Sequence, residues 1–311
     1  MRAISQLVFG PPEVLHVVEL DRPAVGPSDV LVRVHAAGVN PTDWLHRRTG
    51  LYLGTPPFVV GWDVSGVVEA VGKGVTLHKP GDEVFGMLDY PRGAGGYAEY
   101  VAAGARNFVR KPAGIDHIHA AALPVVALTA WQALVDTADL QPGQRVLVHA
   151  AAGGVGHVAV QVAKALGAYV IGTASGPKCD FVRGLGADEV IDYTRADFAE
   201  ALRDVDVVLD AVGGDYGPRS LRTLRPGGVL IAIVFSHTEN MESAAKEHGV
   251  RLEYLTVEAD HAGMAAIAGL VDDGHLRVEI DGVLPLEHAA EAHRRGETRR
   301  TTGKLVLTVA E

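Results

Sequence analysis

Cysteine is almost absent from this chain: Cys179 is the one thiol in 311 residues. A single thiol excludes a disulfide within the chain and every zinc site that is built from several cysteines. Cys179 follows Lys178, but no histidine base accompanies it in the sequence. We interpret it as a partly buried helix thiol and not as a catalytic nucleophile.

Basic charge is also scarce, with 28 Lys and Arg against 38 Asp and Glu and a formal net charge of −10. No Lys/Arg-rich run is present, so we expect no nucleic-acid partner. No apolar run reaches the ~18 residues of a membrane span, and the opening MRAISQLVFGPP lacks the apolar core of a signal peptide. The composition therefore predicts a cytoplasmic protein that has no membrane partner.

The first hundred residues contain short valine-rich runs, such as residues 29–39 and 64–72, that are broken by glycine and proline. Turn signals at intervals of roughly ten residues are typical of a β-barrel or sandwich. The same character returns after about Gly274, in LRVEIDGVLPL and GKLVLTV. We therefore expect residues 1–117 and 274–311 to form one β-rich domain.

Residues 118–273 follow a different pattern. An alanine- and leucine-rich segment from Asp116 to Leu134 predicts a helix that Pro124 must kink or restart. After it, six largely apolar runs alternate with helical segments, which predicts a doubly wound parallel sheet, the Rossmann fold. The runs are residues 145–151, 169–174, 189–193, 205–212, 228–234 and 251–257.

A glycine cluster, HAAAGGVGHVAV (149–160), lies where the first of these strands ends and its helix begins. A pyrophosphate at such a place needs unblocked backbone and a helix N-terminus with free N–H groups. Gly153 and Gly154 permit the turn and the close approach, while Gly156 allows the helix to pack on the sheet. We predict that residues Ala152, Gly153, Gly154, Val155 and Gly156 bind a dinucleotide.

The end of the second strand indicates which dinucleotide is bound. An NAD site usually has an acid there, about twenty residues after the glycines. This chain has Thr173, Ser175 and Lys178 instead. Hydroxyl groups and an ammonium would accept a 2′-phosphate, and Tyr193 at the end of the third strand could add a hydroxyl. NADP(H) is therefore the predicted cofactor, although Lys178 could also be an ordinary solvated helix residue.

Motifs along nearly the whole chain resemble the medium-chain dehydrogenase/reductase superfamily, and within it the zinc-independent, zeta-crystallin-like quinone oxidoreductases. The resemblance implies an α/β protein with a GroES-like β-rich catalytic domain and a Rossmann domain. It rests on the segments AAGVNPTDWLHRRTGLY (36–52), GWDVSGVVEAVG (61–72), GDEVFG (81–86), GGYAEY (95–100), HAAAGGVG (149–156), LRPGGVLI (224–231) and GKLVL (303–307).

By the same resemblance, zinc-dependent members carry Cys where this chain has Asn40, and a His-Glu pair where it has Trp62 and Asp63. Asn, Trp and Asp in those places do not supply the ligands of a catalytic zinc, so we predict that no metal is bound. Without a Lewis acid, an acceptor that takes hydride readily is favoured. A quinone is the first candidate, and an activated alkene (an enal, enone or haloacrylate) is the alternative. A non-catalytic NADPH-binding protein is the third possibility.

The resemblance also implies three catalytic residues. Asn40 would touch the nicotinamide ribose and the substrate pocket, and Tyr52 would lie beside the cofactor. Trp62 would fill the volume left by the absent metal ligand and form a wall of the acceptor pocket. The alternatives are that Asn40 only caps the turn before Pro41 and that Tyr52 is a surface aromatic. Asp63 is expected to anchor its turn by hydrogen bonds to backbone or to a basic side chain.

The remaining cofactor contacts come from the resemblance and from positions at the carboxyl ends of strands. Asn40 and Thr129 would lie near the nicotinamide. Lys304 matches a family lysine, or only caps the last strand. Because the family commonly forms dimers through its Rossmann sheets, we expect a homodimer. The strand-end residues are Gly213, Phe235 and Ser236.

Overall fold

The computed structural model describes residues 1–91, 93–235 and 240–309. They divide into two compact units. The first unit contains Met1–Leu128, Glu258–Gly274 and the described part of Val278–Glu311; the second contains Thr129–Val257 and His275–Arg277. The β-rich head and tail thus belong to one unit. The boundaries differ from those expected, because residues 118–128 and 258–273 belong to the first unit.

The head of the chain is mainly β-structure. Its elements are β1 (Arg2–Gln6), β2 (His16–Glu19), β3 (Asp29–Val39), α1 (Pro41–Thr49), β4 (Phe58–Val59), β5 (Asp63–Val71), β6 (Glu83–Met87), β7 (Tyr100–Gly104), β8 (Phe108–Arg110), α2 (His117–Ala121) and α3 (Pro124–Trp131), which a π-helical turn (Gln132–Thr137) extends.

The middle of the chain alternates strands and helices. Its elements are β9 (Arg145–Val148), α4 (Gly154–Ala165), β10 (Tyr169–Ala174), α5 (Cys179–Gly184), β11 (Glu189–Asp192), α6 (Phe198–Ala201), β12 (Val205–Asp210), α7 (Tyr216–Leu221), β13 (Leu224–Ala232), α8 (Met241–Glu247) and β14 (Arg251–Tyr254). The tail contains α9 (His261–Asp272), β15 (Ile280–Pro285), α10 (Ala289–Glu297) and β16 (Lys304–Thr308).

The first unit is built on two sheets. The larger has the order β15-β16-β3-β5-β6-β8, with β7 also paired to β3, and the smaller has the order β2-β1-β4. The tail strand β16 pairs antiparallel with β3, so that Leu305 lies opposite Val39. This pairing brings Lys304 next to the end of β3, where Asn40 follows, and so assembles a site from the two ends of the chain.

The second unit contains a six-stranded parallel sheet with the order β11-β10-β9-β12-β13-β14. In chain order this is 3-2-1-4-5-6, the arrangement of dinucleotide-binding sheets, and the Rossmann prediction is confirmed. The central strand β9 has Val146, Leu147 and Val148 fully buried, as expected of a strand covered on both faces. The core on one side packs residues such as Leu147, Ile171, Phe198, Val208, Leu230 and Met241.

The helical segment before the second unit restarts at a proline, as the sequence predicts. The Asp116 carboxylate accepts the His119 backbone N–H at 2.9 Å and caps α2, which ends at Ala121. Pro124 then begins α3, where its missing N–H costs no intrahelical hydrogen bond. Within the described ranges, no helix is both long and apolar enough to span a membrane.

Candidate functional site

The glycine turn between β9 and α4 has the geometry of an anion cradle. The first N–H groups of a helix lack an intrahelical partner. Gly153, the N-cap of α4, is extended and has no side chain to cap these groups, so they can face an anion. A Cβ on Gly156 would lie 2.2 Å from the Ala150 carbonyl oxygen and 2.7 Å from the Ala151 Cα. Only glycine therefore lets α4 start this close to the end of β9.

The residue that makes the turn tight is an alanine. Ala150 has φ 49°, in the left-handed region, whereas Gly153 has φ −82°. Gly153 therefore does not supply the left-handed conformation. Glycine at position 153 instead avoids a tight contact, because a Cβ there would lie 3.2 Å from the Ala150 carbonyl oxygen.

Thr173, one of the predicted phosphate contacts, lies near the end of β10 and has internal partners. Thr173 is fully buried, and its hydroxyl lies 3.1 Å from Nδ1 of His149. Nε2 of His149 lies 2.9 Å from the Ser220 hydroxyl, and burial lowers the pKa of His149 to about 3. The Thr173 hydroxyl thus belongs to an internal, neutral network. The contact of Thr173 with a 2′-phosphate stays a prediction, and its buried hydroxyl already has His149 as a partner.

Ser175 and Lys178 are half-buried in the turn that follows β10. The backbone N–H of Tyr193 donates to the Ala174 carbonyl oxygen at 3.2 Å, and the Tyr193 side chain is 48% exposed. The parallel pairing of β10 with β11 therefore brings these three predicted residues to one edge of the sheet. Whether they bind a phosphate stays a prediction.

The structure adds an acid to this edge, Asp192 at the end of β11. A Cβ on Gly176 would lie 2.8 Å from Asp192 Oδ2, so the carboxylate is next to the Ser175–Lys178 turn. Asp192 accepts hydrogen bonds from the Thr194 hydroxyl and backbone N–H, and the hydroxyl bond is the main cause of its lowered pKa. Sequence reasoning missed it because it searched for an acid only after strand two.

The other predicted cofactor residues have varied surroundings. Gly213 is buried with φ 76°, and its N–H donates to Asp210 Oδ1 at 2.9 Å. Phe235 is 58% exposed and its ring lies 6.0 Å from that of Tyr254. Thr129 is almost fully buried in α3. Ser236 lies outside the described residues.

Asn40, Asp63 and Lys304 form a buried polar cluster in the first unit. The Asn40 Nδ2 donates to Asp63 Oδ2 at 2.7 Å, while Lys304 Nζ donates to Asn40 Oδ1 at 2.5 Å and lies 3.5 Å from Asp63 Oδ2. Burial raises the pKa of Asp63, and the nearby ammonium opposes that shift. Burial likewise lowers the pKa of Lys304, and Asp63 opposes it. The pair is thus a buried ion pair satisfied by an amide.

This cluster confirms the expected role of Asp63 and shows what surrounds Asn40 and Lys304. Asp63 anchors its turn as expected, since Oδ1 accepts the Val125 N–H at 2.7 Å and Oδ2 faces Lys304. The Asn40 amide is fully buried, with one N–H of Nδ2 donated to Asp63 and Oδ1 accepting from Lys304, and its contact with a substrate stays a prediction. Lys304 is equally enclosed and also donates to the Val39 carbonyl at 2.8 Å, and its contact with a cofactor stays a prediction.

A second buried network, which sequence reasoning missed, starts at Asp43 on α1. Its Oδ2 accepts the Asn40 N–H at 2.7 Å and the Tyr97 hydroxyl at 2.8 Å. The Tyr97 oxygen lies 3.2 Å from Nε2 of His293, whose Nδ1 lies 3.0 Å from the Arg47 guanidinium. Burial raises the pKa of Asp43 to about 7 and lowers that of His293 to about 3. The sequence signal that could have identified Asp43 is its spacing from Asn40, which is that of a helix capping box.

Trp62 lies in an aromatic cluster with His46, Tyr52 and Tyr90. The Trp62 ring lies 4.7 Å from that of His46 and 5.4 Å, edge-on, from that of Tyr90. The His46 and Tyr52 rings lie 6.0 Å apart. Trp62 is fully buried, while Tyr52 is 54% exposed. Tyr52 is therefore the most exposed member of this cluster, Tyr90 is half-buried, and Trp62 and His46 are buried.

No group of three or more His, Cys, Asp or Glu able to hold a metal ion occurs within residues 1–91, 93–235 and 240–309. Cys179 begins α5 as a buried free thiol, and burial raises its pKa. Its Sγ donates to the Ser175 carbonyl at 3.6 Å. These features match the interpretation of Cys179 as a helix thiol.

Known proteins resemble both units of the chain. A family profile described as "Alcohol dehydrogenase GroES-like domain" matches residues 26–113, and one described as "Zinc-binding dehydrogenase" matches residues 185–307. Human quinone oxidoreductase is 34% identical over 326 residues, covering 99% of this chain and 97% of its own length. The chain belongs to the medium-chain dehydrogenase/reductase superfamily, in its quinone oxidoreductase group.

Other relatives differ in length and in described activity. A 2-haloacrylate reductase from a Burkholderia species is 36% identical over 306 residues, with 91% of each chain covered. A solved structure of Escherichia coli quinone oxidoreductase complexed with NADPH has a TM-score of 0.91 and 30% identity, covering 99% of this chain and 100% of its own. The chain spans 8% of the length of a Streptomyces venezuelae pikromycin polyketide synthase component, which is 38% identical over 301 residues. The protein is thus an oxidoreductase with a dinucleotide-binding fold.

Proposed function

We propose that this protein transfers hydride from NADPH to a quinone and does so without zinc. The observation that carries the proposal is the buried cluster of Asn40, Asp63 and Lys304. The Lys304 ammonium already provides the cation that Asp63 and the Asn40 carbonyl oxygen face. Trp62, the third residue in these positions, has only an N–H donor and no lone pair for a metal. This donor set fits an ammonium ion and does not fit Zn²⁺.

The proposed acceptor follows from that chemistry. Alcohol oxidation in this fold would lose its Lewis acid, whereas a quinone accepts hydride without one. Bound NADPH supplies the hydride. The chain's own residues bind and orient the cofactor and the acceptor. The turn at Gly156 holds the pyrophosphate at the start of α4. The aromatic cluster that contains Tyr52 offers an apolar surface to a flat acceptor. We propose that the hydroxyl of Tyr52, which is 54% exposed, donates a hydrogen bond to the acceptor oxygen.

We propose NADPH over NADH because Ser175, Lys178 and Tyr193 come together at the edge of the sheet. Asp192 is a carboxylate at the same edge, but Thr194 donates to it twice and Arg195 Nε lies 3.5 Å from it. Its charge is therefore partly balanced. The solved Escherichia coli relative in complex with NADPH supports the same preference.

The test is to follow oxidation of NADPH and of NADH with para-benzoquinone, phenanthrenequinone and a panel of enals and enones, with and without a chelator. We expect quinone reduction with NADPH that a chelator does not change. Loss of activity in chelator would contradict zinc independence, and equal use of NADH would contradict the cofactor assignment. Lys178→Ala should raise the KM for NADPH about ten-fold and leave that for NADH unchanged. Lys246→Ala, an exposed lysine of the same unit, is the control.

The second candidate is reduction of activated alkenes by the same hydride transfer, which the 2-haloacrylate reductase relative favours. The two functions differ in the acceptor pocket around Trp62. Trp62→Ala should therefore change the preference between quinones and enones more than it changes NADPH affinity. The reverse result would show that Trp62 is not part of the acceptor pocket. If no acceptor is reduced at all, the non-catalytic NADPH-binding alternative is favoured.

We also propose that the protein is a homodimer that joins through β14. Among the described strands, β14 pairs only with β13, so it is an edge strand of the parallel sheet. Tyr254 on this edge strand and the nearby Phe235 are exposed aromatics. An open edge with exposed aromatics suits pairing with a second copy. Size-exclusion chromatography with light scattering tests this, and a monomer at micromolar concentration would contradict it.

A further inference from the structure

Two nitrogen atoms in the aromatic cluster are buried and have no hydrogen-bond partner among the described residues. They are Nε1 of Trp62 and Nε2 of His46. Both side chains are fully buried, and their rings lie 4.7 Å apart. An unpaired polar atom in a protein interior is costly, so two of them on touching rings indicate a place built for a partner.

The hydrogen bond at Nδ1 of His46 determines whether Nε2, which has no partner among the described residues, is a donor or an acceptor. Nδ1 lies 2.8 Å from the Thr42 carbonyl oxygen, which can only accept, and 3.2 Å from the Thr42 hydroxyl, which donates its proton to the Tyr90 hydroxyl. Nδ1 must therefore carry the ring proton, and Nε2 has an unshared lone pair. Burial lowers the pKa of His46, which keeps the ring neutral. The indole Nε1–H of Trp62 can only donate. A buried donor and a buried acceptor thus lie on two neighbouring rings, whose centroids are 4.7 Å apart.

This pair matches one simple functional group. A carbonyl or ether oxygen could accept from Trp62 but would offer no proton to His46. A hydroxyl can do both at once, accepting from Trp62 Nε1–H and donating to His46 Nε2. We infer that Trp62 and His46 together recognise a hydroxyl group carried by the electron acceptor. This inference rests on the proposed function, since it names a subclass of quinone or activated alkene.

Two tyrosines enclose the pair. The Tyr90 ring lies edge-on to His46 at 6.3 Å and to Trp62 at 5.4 Å, and its hydroxyl accepts from the Thr42 hydroxyl at 3.3 Å. Tyr52 lies 6.0 Å from His46 and is exposed to solvent.

The test uses two acceptors of similar size, hydroxymethyl-para-benzoquinone and methoxymethyl-para-benzoquinone. The wild-type enzyme should prefer the hydroxyl compound at least about ten-fold in kcat/KM, because a site that bonds a hydroxyl rejects the analogue that lacks it. Trp62→Phe and His46→Phe should each bring the ratio towards one. His46→Gln, whose side-chain oxygen can accept, should recover part of it.

His35→Phe is the matched control, because His35 is in the same unit and its Nε2 is also unpartnered among the described residues. Its ring stacks on His117, away from Trp62, so the preference should not change. Equilibrium dialysis of the two corresponding hydroquinones, with NADP⁺ present, measures the preference without turnover. Thermal unfolding checks that each variant is folded.

A wild-type ratio near one would overturn the inference even if quinones are reduced. The inference also fails if Trp62→Phe is folded, or more stable, and keeps the preference, because the nitrogen pair would then be internal packing only. If no acceptor is reduced, the proposed function fails, and dialysis decides the inference by itself. Preferential binding of the hydroxymethyl compound there supports it, and equal binding contradicts it.

Discussion

The glycine turn of the second unit and the buried polar cluster of the first unit (Asn40, Asp63 and Lys304) are organised in opposite ways. The turn is local: Ala150, Gly153 and Gly156 are close in the sequence, and its geometry follows from a strand that ends where a helix begins. The cluster is non-local: Asp63 and Lys304 are 241 residues apart. A local site can be recognised from its spacing, whereas a non-local one depends on strand pairing that no short motif encodes.

The largest effect on this comparison is expected when the Lys304 ammonium is removed from the buried polar cluster. Lys304→Met should leave Asp63 as a buried carboxylate without its partner and lower the free energy of unfolding by about 3–5 kcal/mol. Urea unfolding measures the change. The double variant Lys304→Met/Asp63→Asn should recover part of the loss. A loss below about 1 kcal/mol for the single variant would show that solvent screens the pair.

The corresponding change in the glycine turn should affect binding more than folding. Gly156→Ala places a Cβ 2.2 Å from the Ala150 carbonyl oxygen, so the start of α4 must move away from the strand end. We expect NADPH affinity to fall at least ten-fold, measured by fluorescence titration. Gly269→Ala in α9 is the control, because its Cβ would meet nothing within 4 Å. Equal effects of both variants would contradict a steric role for Gly156.

Titration of Asp43 tests how isolated the first unit's buried network is from solvent. Burial raises the folded-state pKa of Asp43 to about 7, so the folded protein binds this proton more tightly than the unfolded chain does. Its contribution to stability is therefore present at low pH and is lost as pH rises from about 4 through 7. Asp43→Asn should remove this part of the pH dependence of unfolding by urea. An unchanged slope in the variant would contradict the raised pKa.

The smallest expected effect is at the left-handed residue of the glycine turn. Ala150 has φ 49°, which glycine adopts without a Cβ penalty. Ala150→Gly should raise the free energy of unfolding by up to about 1 kcal/mol, after the greater flexibility of the unfolded chain is included. Thermal unfolding measures the change. A clear loss of stability would show that the alanine methyl group packs usefully in the turn.

Much of the second unit could be predicted from the sequence. Runs such as residues 145–151 are apolar because parallel strands are covered on both faces, and the helix restart at Pro124 follows from the missing N–H. The orientation of Thr173 could not be predicted, because a strand-end hydroxyl can face either the ligand edge or the core. The acid Asp192 was missed for a related reason, since it reaches the Ser175–Lys178 turn from the neighbouring strand.

The site in the first unit was predicted only in outline. The sequence located Asn40, Trp62 and Asp63 as the positions where zinc-dependent relatives hold their metal, and it predicted that Asp63 bonds to backbone or to a basic side chain. It did not show that Lys304 is that partner, nor that the Asn40 amide is bonded at both ends. Those contacts exist because β16 pairs with β3.

The sequence by itself determined the family, the Rossmann sheet and the glycine turn, because each depends on periodicity or on residues that are close in the chain. The tertiary structure decided which side chains are free to act. Burial and long-range strand pairing commit Asn40, Lys304 and Thr173 to internal partners, while they leave the Trp62 and His46 nitrogen atoms without one among the described residues. Whether a polar group is satisfied depends on what surrounds it in three dimensions.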